Sequence, residues 1–139
     1  MKFLTDSDFW YGLVVADDAH HEKCVRMLEK AQKKGAELLC LKLVIFETVT
    51  VLSKKIDQKR SLLFLKKFNN LTITKIDMNE ELENLSWKVF EKQTKKGTSF
   101  IDCANLAILE KYKLDGILSF DEFYPKDKFA YPRGVKITS

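Results

Sequence analysis

Apolar and polar positions along this chain follow two rhythms. Short apolar runs of four or five residues alternate with longer stretches in which apolar residues return every three or four positions. The first pattern marks buried strands and the second amphipathic helices. Lys2 to Thr5 predicts a first strand, and Phe9 to Val15 an apolar helical turn. Between His20 and Lys34, Cys24, Met27, Leu28 and Ala31 share one face, predicting a long helix capped by Asp17-Asp18 and ended by Gly35. Glu37 to Leu41 reads as a second strand. Leu43 to Lys55 is ambiguous, because its β-branched residues favour a strand whereas its length without turn residues favours a helix. Helix is the reading adopted. A helix over Ser61 to Phe68, a strand over Leu71 to Ile76 and a helix over Asn79 to Gln93 follow. After a break at Gly97 come a helix from Phe100 to Tyr112, a strand from Gly116 to Phe120 and a short edge strand at Val135 to Thr138. Strands alternating with helices imply an α/β fold with a parallel sheet covered on both faces. Such sheets present their sites at the carboxyl ends of the strands. No repeat, low-complexity tract or linker interrupts the pattern, so residues 1–139 read as a single domain.

Composition narrows the class. A chain of 139 residues, 45% hydrophobic and 32% charged, has the make-up of a globular domain. Asp6 and Asp8 break the first apolar run before a signal-peptide core forms, and Phe9 to Val15 is too short to span a bilayer. The expectation is a cytoplasmic protein with no membrane association. Cys24, Cys40 and Cys103 stand far apart without a CxxC pair and read as buried free thiols. The net charge of +4 is carried by doublets such as Lys33-Lys34, Lys54-Lys55 and Lys66-Lys67. Most of these are solvated helix faces, but together they also suit an anionic partner.

The acids carry the candidate chemistry. Asp6 follows the first strand and Asp121 follows Gly-Ile-Leu-Ser-Phe, so both fall at the carboxyl edge of the sheet. Either alone is also an ordinary helix cap. Glu47 lies within Leu-Val-Ile-Phe-Glu-Thr-Val-Thr-Val-Leu, where an ionised carboxylate needs a cationic side chain, an edge onto water or a metal ion. Asp102 stands three residues after Ser99, as in a capping box, and a carboxylate in a helix's first turn is equally placed to meet a cation. Asn105 shares its face, suited to position a water or phosphate. Four carboxylates brought together raise one another's pKa values, and hard divalent cations with oxygen ligands resolve the repulsion. Two such ions can activate water and stabilise the leaving oxygen of a phosphodiester. Asp8 is a further acid beside Asp6. Asp77 belongs to the capping pattern Asp77-Met78-Asn79-Glu80, and Asp17, Asp18, Asp57, Asp115, Glu122 and Asp127 read as caps, turns or surface. His20 and His21 open a helix and read as structural. No serine–histidine triad, Walker loop or dinucleotide glycine motif is present.

The order of these pieces resembles the PIN-domain family, including VapC-type toxins. They run Phe3-Leu4-Thr5-Asp6-Ser7, then Asp17-Asp18-Ala19-His20-His21-Glu22, then Val44-Ile45-Phe46-Glu47-Thr48. Thr98-Ser99-Phe100-Ile101-Asp102-Cys103-Ala104 and Ile117-Leu118-Ser119-Phe120-Asp121-Glu122-Phe123 complete the series. The resemblance extends from Lys2 to about Phe123; the tail beginning Tyr124-Pro125-Lys126 has no clear counterpart in it. It implies a three-layer α/β/α sandwich with a central parallel sheet, and a Mg2+- or Mn2+-dependent ribonuclease. By the resemblance Asp6, Glu47, Asp102 and Asp121 would be its catalytic metal ligands, with a nearby hydroxyl from Thr98 or Ser99. Asp8, where relatives often carry a small polar residue, and Asn105 are further supporting candidates from their spacing alone. It further implies an RNA substrate, a small antitoxin partner and a homodimer. The competing reading is a catalytically silent PIN-like module that binds RNA or protein. A receiver-like phosphate-transfer domain is disfavoured, since no lysine stands out as its partner.

Overall fold

The computed structural model describes residues 1–131. The elements run β1 (Lys2–Thr5), α1 (Ser7–Val14), α2 (His21–Lys33), β2 (Glu37–Leu41), α3 (Lys42–Lys55) and α4 (Gln58–Asn70). They continue with β3 (Ile73–Ile76), α5 (Glu80–Glu91), α6 (Phe100–Lys111), β4 (Gly116–Leu118) and a 3-10 turn at Lys126–Lys128. The sheet is parallel throughout, in the order β3-β2-β1-β4. From β1 the chain builds outward through β2 to β3, then returns to place β4 on the other side of β1. The switch point therefore lies between β1 and β4, where parallel sheets open a crevice at their carboxyl ends. The three-layer α/β/α expectation holds: α1 packs with α2, α3 and α4, while α5 and α6 form a second pair.

The ambiguous segment is α3, a helix. Val44, Ile45, Thr48 and Leu52 are its buried residues. Its threonines do not need a sheet, because Thr48 and Thr50 donate to the carbonyls of Val44 and Phe46 one turn back, at 2.7 and 2.9 Å. Several boundaries differ from the sequence pattern, each for a local reason. α1 begins at Ser7, two residues before Phe9, because Asp6 caps it by accepting the Ser7 N–H at 2.8 Å. α4 begins at Gln58 rather than Ser61, because Asp57 accepts the Arg60 N–H. In α5 the cap is Asn79, which accepts the Leu82 N–H, while Asp77 pairs with Lys42 at 2.7 Å. β4 stops at Leu118, two residues short of Phe120. Gly35 and Gly97 end their segments with positive φ, as expected. The edge strand expected at Val135 to Thr138 lies outside the described residues.

The core is built where α1 meets α4. Trp10, only 1% exposed, packs edge-on against Phe9, Phe64 and Phe68 with ring centroids 5.0 to 5.9 Å apart. Beyond β4 the chain folds back as a strap. Ala130 N–H donates to the Ile117 carbonyl at 3.0 Å, and Phe129 bridges Ile117. Gly116 permits that approach, since a Cβ there would stand 2.7 Å from the Ala130 nitrogen. The strap matters because it seats Tyr124 beneath the carboxyl edge of the sheet.

Candidate active site

Asp6 is the centre of the site. Its N–H donates to the Leu118 carbonyl at 3.1 Å, tying the end of β1 to the end of β4. Its side chain is 3% exposed and its oxygens are saturated with donors. Oδ1 accepts from Ser7 N–H at 2.8 Å and Asn105 Nδ2 at 3.3 Å. Oδ2 accepts from Ser119 Oγ at 2.9 Å and Tyr124 OH at 3.0 Å. Burial still wins over these bonds and raises the Asp6 pKa, with Asp121 adding repulsion.

Asp102, in the first turn of α6, reaches the same centre: the Tyr124 hydroxyl lies 3.3 Å from its Oδ1. Desolvation first, then the charges of Asp6 and Asp121, push its pKa up to about 8. The expected capping box forms only in part, with Ser99 accepting the Asp102 N–H at 3.4 Å while the Asp102 carboxylate turns to the site. Asp8, the further acid beside Asp6, is half-buried at the same centre. Its Oδ2 accepts from Phe120 N–H at 2.9 Å and from Ser119 Oγ at 3.3 Å. Burial and the nearby Asp6 push its pKa up to about 7, and its Oδ1 is buried without a hydrogen-bond partner. Asp121 is held by its own loop, accepting the Phe123 N–H at 2.9 Å. Glu47 is half-buried, its pKa raised by desolvation and by Asp6. With Asp8, Tyr11, Asp18 and Lys55 it lines a cleft of about 440 Å³ beside the acids. Its edge onto this cleft, not a buried lysine or arginine, is what makes its position tolerable.

Other expected supports are placed differently. Asn105 faces no solvent: it is fully buried, and its Nδ2 donates to Asp6 and to Tyr124 OH, at 3.0 Å for the latter. It orients side chains and does not reach an outside phosphate. Thr98 donates to the Lys95 carbonyl at 2.8 Å, and Ser99 serves as the helix cap, so neither hydroxyl points at an acid. His21 Nδ1 donates to the Gly12 carbonyl at 2.8 Å, as a structural histidine should. His20 lies flat on Phe120, ring centroids 4.0 Å apart. The cysteines are buried and free, and burial pushes the Cys24 and Cys40 thiols up to about 12.

Two residues central to the site escaped the sequence reading. Ser119 hydrogen-bonds Asp6 and Asp8 and accepts the Asp121 N–H at 3.1 Å. Its signal was a polar residue closing an otherwise apolar strand. Tyr124, 2% exposed, comes from the tail that matched no pattern, and nothing local marks it.

The PIN-domain profile matches residues 3–126. The chain belongs to the PIN-domain family. Its fold is shared with VapC20 of Mycobacterium tuberculosis, a Sarcin-Ricin loop cleaving toxin. That similarity has a TM-score of 0.77 at 19% identity over 87% of this chain and 91% of that one. It is shared too with VapBC2 from Rickettsia felis, solved bound to a DNA fragment from its promoter. There the TM-score is 0.67 at 12% identity over 87% of this chain and 89% of that one. The chain matches no curated protein.

PIN nucleases generally use divalent metal ions. The donor set of this PIN domain fits one chemically. Asp6, Asp8, Asp102 and Glu47 all have raised pKa values. None of the ion pairs among the described residues brings a lysine or arginine to them. The unpartnered Asp8 Oδ1 is a further unused oxygen. Yet among the described residues no three His, Cys, Asp or Glu side chains stand as a ready-made cage. Hydroxyls of Tyr124 and Ser119 stand among the carboxylates instead. No helix of the described residues is long and apolar enough to cross a membrane.

Proposed function

We propose that this PIN domain is a Mg2+- or Mn2+-dependent endoribonuclease and the toxin of a toxin–antitoxin pair. The observation that carries the reading is the gathering of Asp6, Asp8, Asp102 and Asp121 around the β1–β4 switch point, where no ion pair among the described residues brings a lysine or arginine to them. Asp6, Asp102 and Asp121 would hold the cation, with Glu47 completing or tuning the site from the cleft. When bound, such a cation offsets phosphate charge and makes water a stronger nucleophile.

The chain's own residues do the placing. Ser119 fixes Asp6, Asp8 and the Asp121 loop through one side chain. Asn105 and the Ser7 N–H fix the other edge of Asp6. Lys55, exposed at the cleft wall beside Glu47, meets the anionic backbone of the strand being cut. RNA as substrate is supported by family membership and by the toxin activity of the structural neighbour VapC20. An antitoxin partner is supported by the likeness to VapBC2. A homodimer, a cytoplasmic location and a single domain over residues 1–139 belong to the same reading; the family match over 3–126 supports the last.

The test is incubation of purified protein with mixed RNAs and Mn2+. Cleavage that EDTA stops, and that Asp102→Asn loses, is the expected result. If Asp102→Asn cuts as fast as wild type, the chemistry is misassigned. If wild type binds RNA but never cuts it, the silent-module reading takes its place.

A further inference from the structure

An ionised carboxylate offers about four lone-pair sites, and all those of Asp6 are in use. Ser7 N–H and Asn105 Nδ2 occupy Oδ1, while Ser119 Oγ and Tyr124 OH occupy Oδ2. A cation at Asp6 must take an oxygen lone pair from one of these donors. The Ser7 N–H is backbone and cannot leave, and Asn105 is buried with its amide shared between Asp6 and Tyr124. The two hydroxyls differ, because each has one proton and a second carboxylate within reach. Ser119 Oγ is 3.3 Å from Asp8 Oδ2, and Tyr124 OH is 3.3 Å from Asp102 Oδ1.

We propose that Tyr124 is a positioning residue that closes Asp6 in the cation-free protein and opens it by turning its hydroxyl proton from Asp6 Oδ2 to Asp102 Oδ1. The oxygen need not move, since it already accepts from Asn105 Nδ2 at 3.0 Å. The ring is clamped edge-on by Phe123 and Phe129, at 5.2 and 6.4 Å. Ser119 makes the parallel turn toward Asp8. The inference rests on the divalent-cation reading of the site.

The two states do not depend equally on the hydroxyl. In the closed state it donates to a carboxylate 3% exposed, where a charge-assisted bond is strong. In the open state it donates to Asp102, which keeps contact with water, so less is lost there when the hydroxyl is removed. Tyr124→Phe therefore destabilises the cation-free protein more than the bound one. The expected result is Mn2+ binding tighter by roughly three- to ten-fold, the range that a difference of about one hydrogen bond's net worth produces. Calorimetric titration of the whole chain with Mn2+, without RNA, reads this directly. Thermal melts should agree, with a lower Tm in EDTA and a larger rise on adding Mn2+. A residue that merely packs would lower Tm and leave the affinity alone. One that built the cation site would weaken it. Unchanged or weakened affinity in Tyr124→Phe, with wild type binding normally, overturns this inference alone. A wild-type chain that binds no Mn2+ overturns the cation reading together with it. Should Tyr124→Phe not fold, the ζ-carbon NMR resonance of Tyr124 in tyrosine-labelled wild type must move when Mg2+ is added without RNA; a resonance that stays in place while Mg2+ binds overturns the inference.

Discussion

Acidifying the cation-free protein should stabilise it, contrary to the usual behaviour of carboxylates in ion pairs. Asp8 and Asp102 have pKa values of about 7 and about 8 in the folded chain against an ordinary 3.8. Their causes are burial and mutual repulsion, both of which vanish on unfolding. Between roughly pH 4 and 8 the folded state therefore holds protons that the unfolded state has released. Stability is greatest below the unfolded value and falls as pH rises through the folded ones, by about 1.4 kcal/mol per pH unit for each extra proton. From pH 8 to pH 6, Asp8 contributes about half a proton on average and Asp102 somewhat more. Discounting Asp102 for its contact with water, the expected gain is about 2–3 kcal/mol. For a domain of this size that corresponds to a Tm rise of roughly 6–12 °C. The assay is a thermal melt in EDTA at half-unit steps of pH, repeated with saturating Mn2+. The cation favours the ionised carboxylates, so the slope should shrink or reverse in its presence, and Mn2+ binding at pH 7 should release protons. Asp8→Asn should remove a substantial part of the EDTA slope. A Tm that stays flat or falls on acidification in EDTA would refute the electrostatic account of the site. So would an identical slope with Mn2+.

Other predictions test the scaffold and the cleft. Trp10→Ala, which empties the space between Phe9, Phe64 and Phe68, should cost about 3–5 kcal/mol in urea unfolding. Gly116→Ala drives a Cβ against the backbone of Ala130 and should cost about 1–3 kcal/mol while disturbing the strap that seats Tyr124. Fluorescence of Mn2+-titrated protein would show whether the acid site suffers with it. Lys55→Glu should raise KM for RNA with little change in kcat, a split that equal loss in both would contradict. Asp77→Ala breaks only the half-exposed pair with Lys42 and should shift stability by less than about 1 kcal/mol in the same unfolding assay.

The one-dimensional pattern determined the succession of elements, because each strand and helix carries its own apolar period. It placed Asp6 at the end of β1 and Asp102 in the first turn of α6, since a cap or a strand end is a local event. It also identified α3 as a helix, where a count of β-branched residues alone would have made it a strand. The boundaries it missed, at Asp57 and Ser7, turned on single side-chain caps whose partner depends on the final backbone. What the tertiary structure alone decided is how the acids meet. Asp8 stands beside Asp6 in sequence, but its hold on the β4 end, through the Phe120 N–H and Ser119 Oγ, exists only once β4 lies next to β1. Tyr124 lies 118 positions from the Asp6 it contacts. Its hydroxyl reaches the site because β4 lies beside β1 and the strap returns along Gly116. Contacts at that separation leave no trace in local periodicity: they follow from the order of strands in the sheet, which only folding the whole chain specifies.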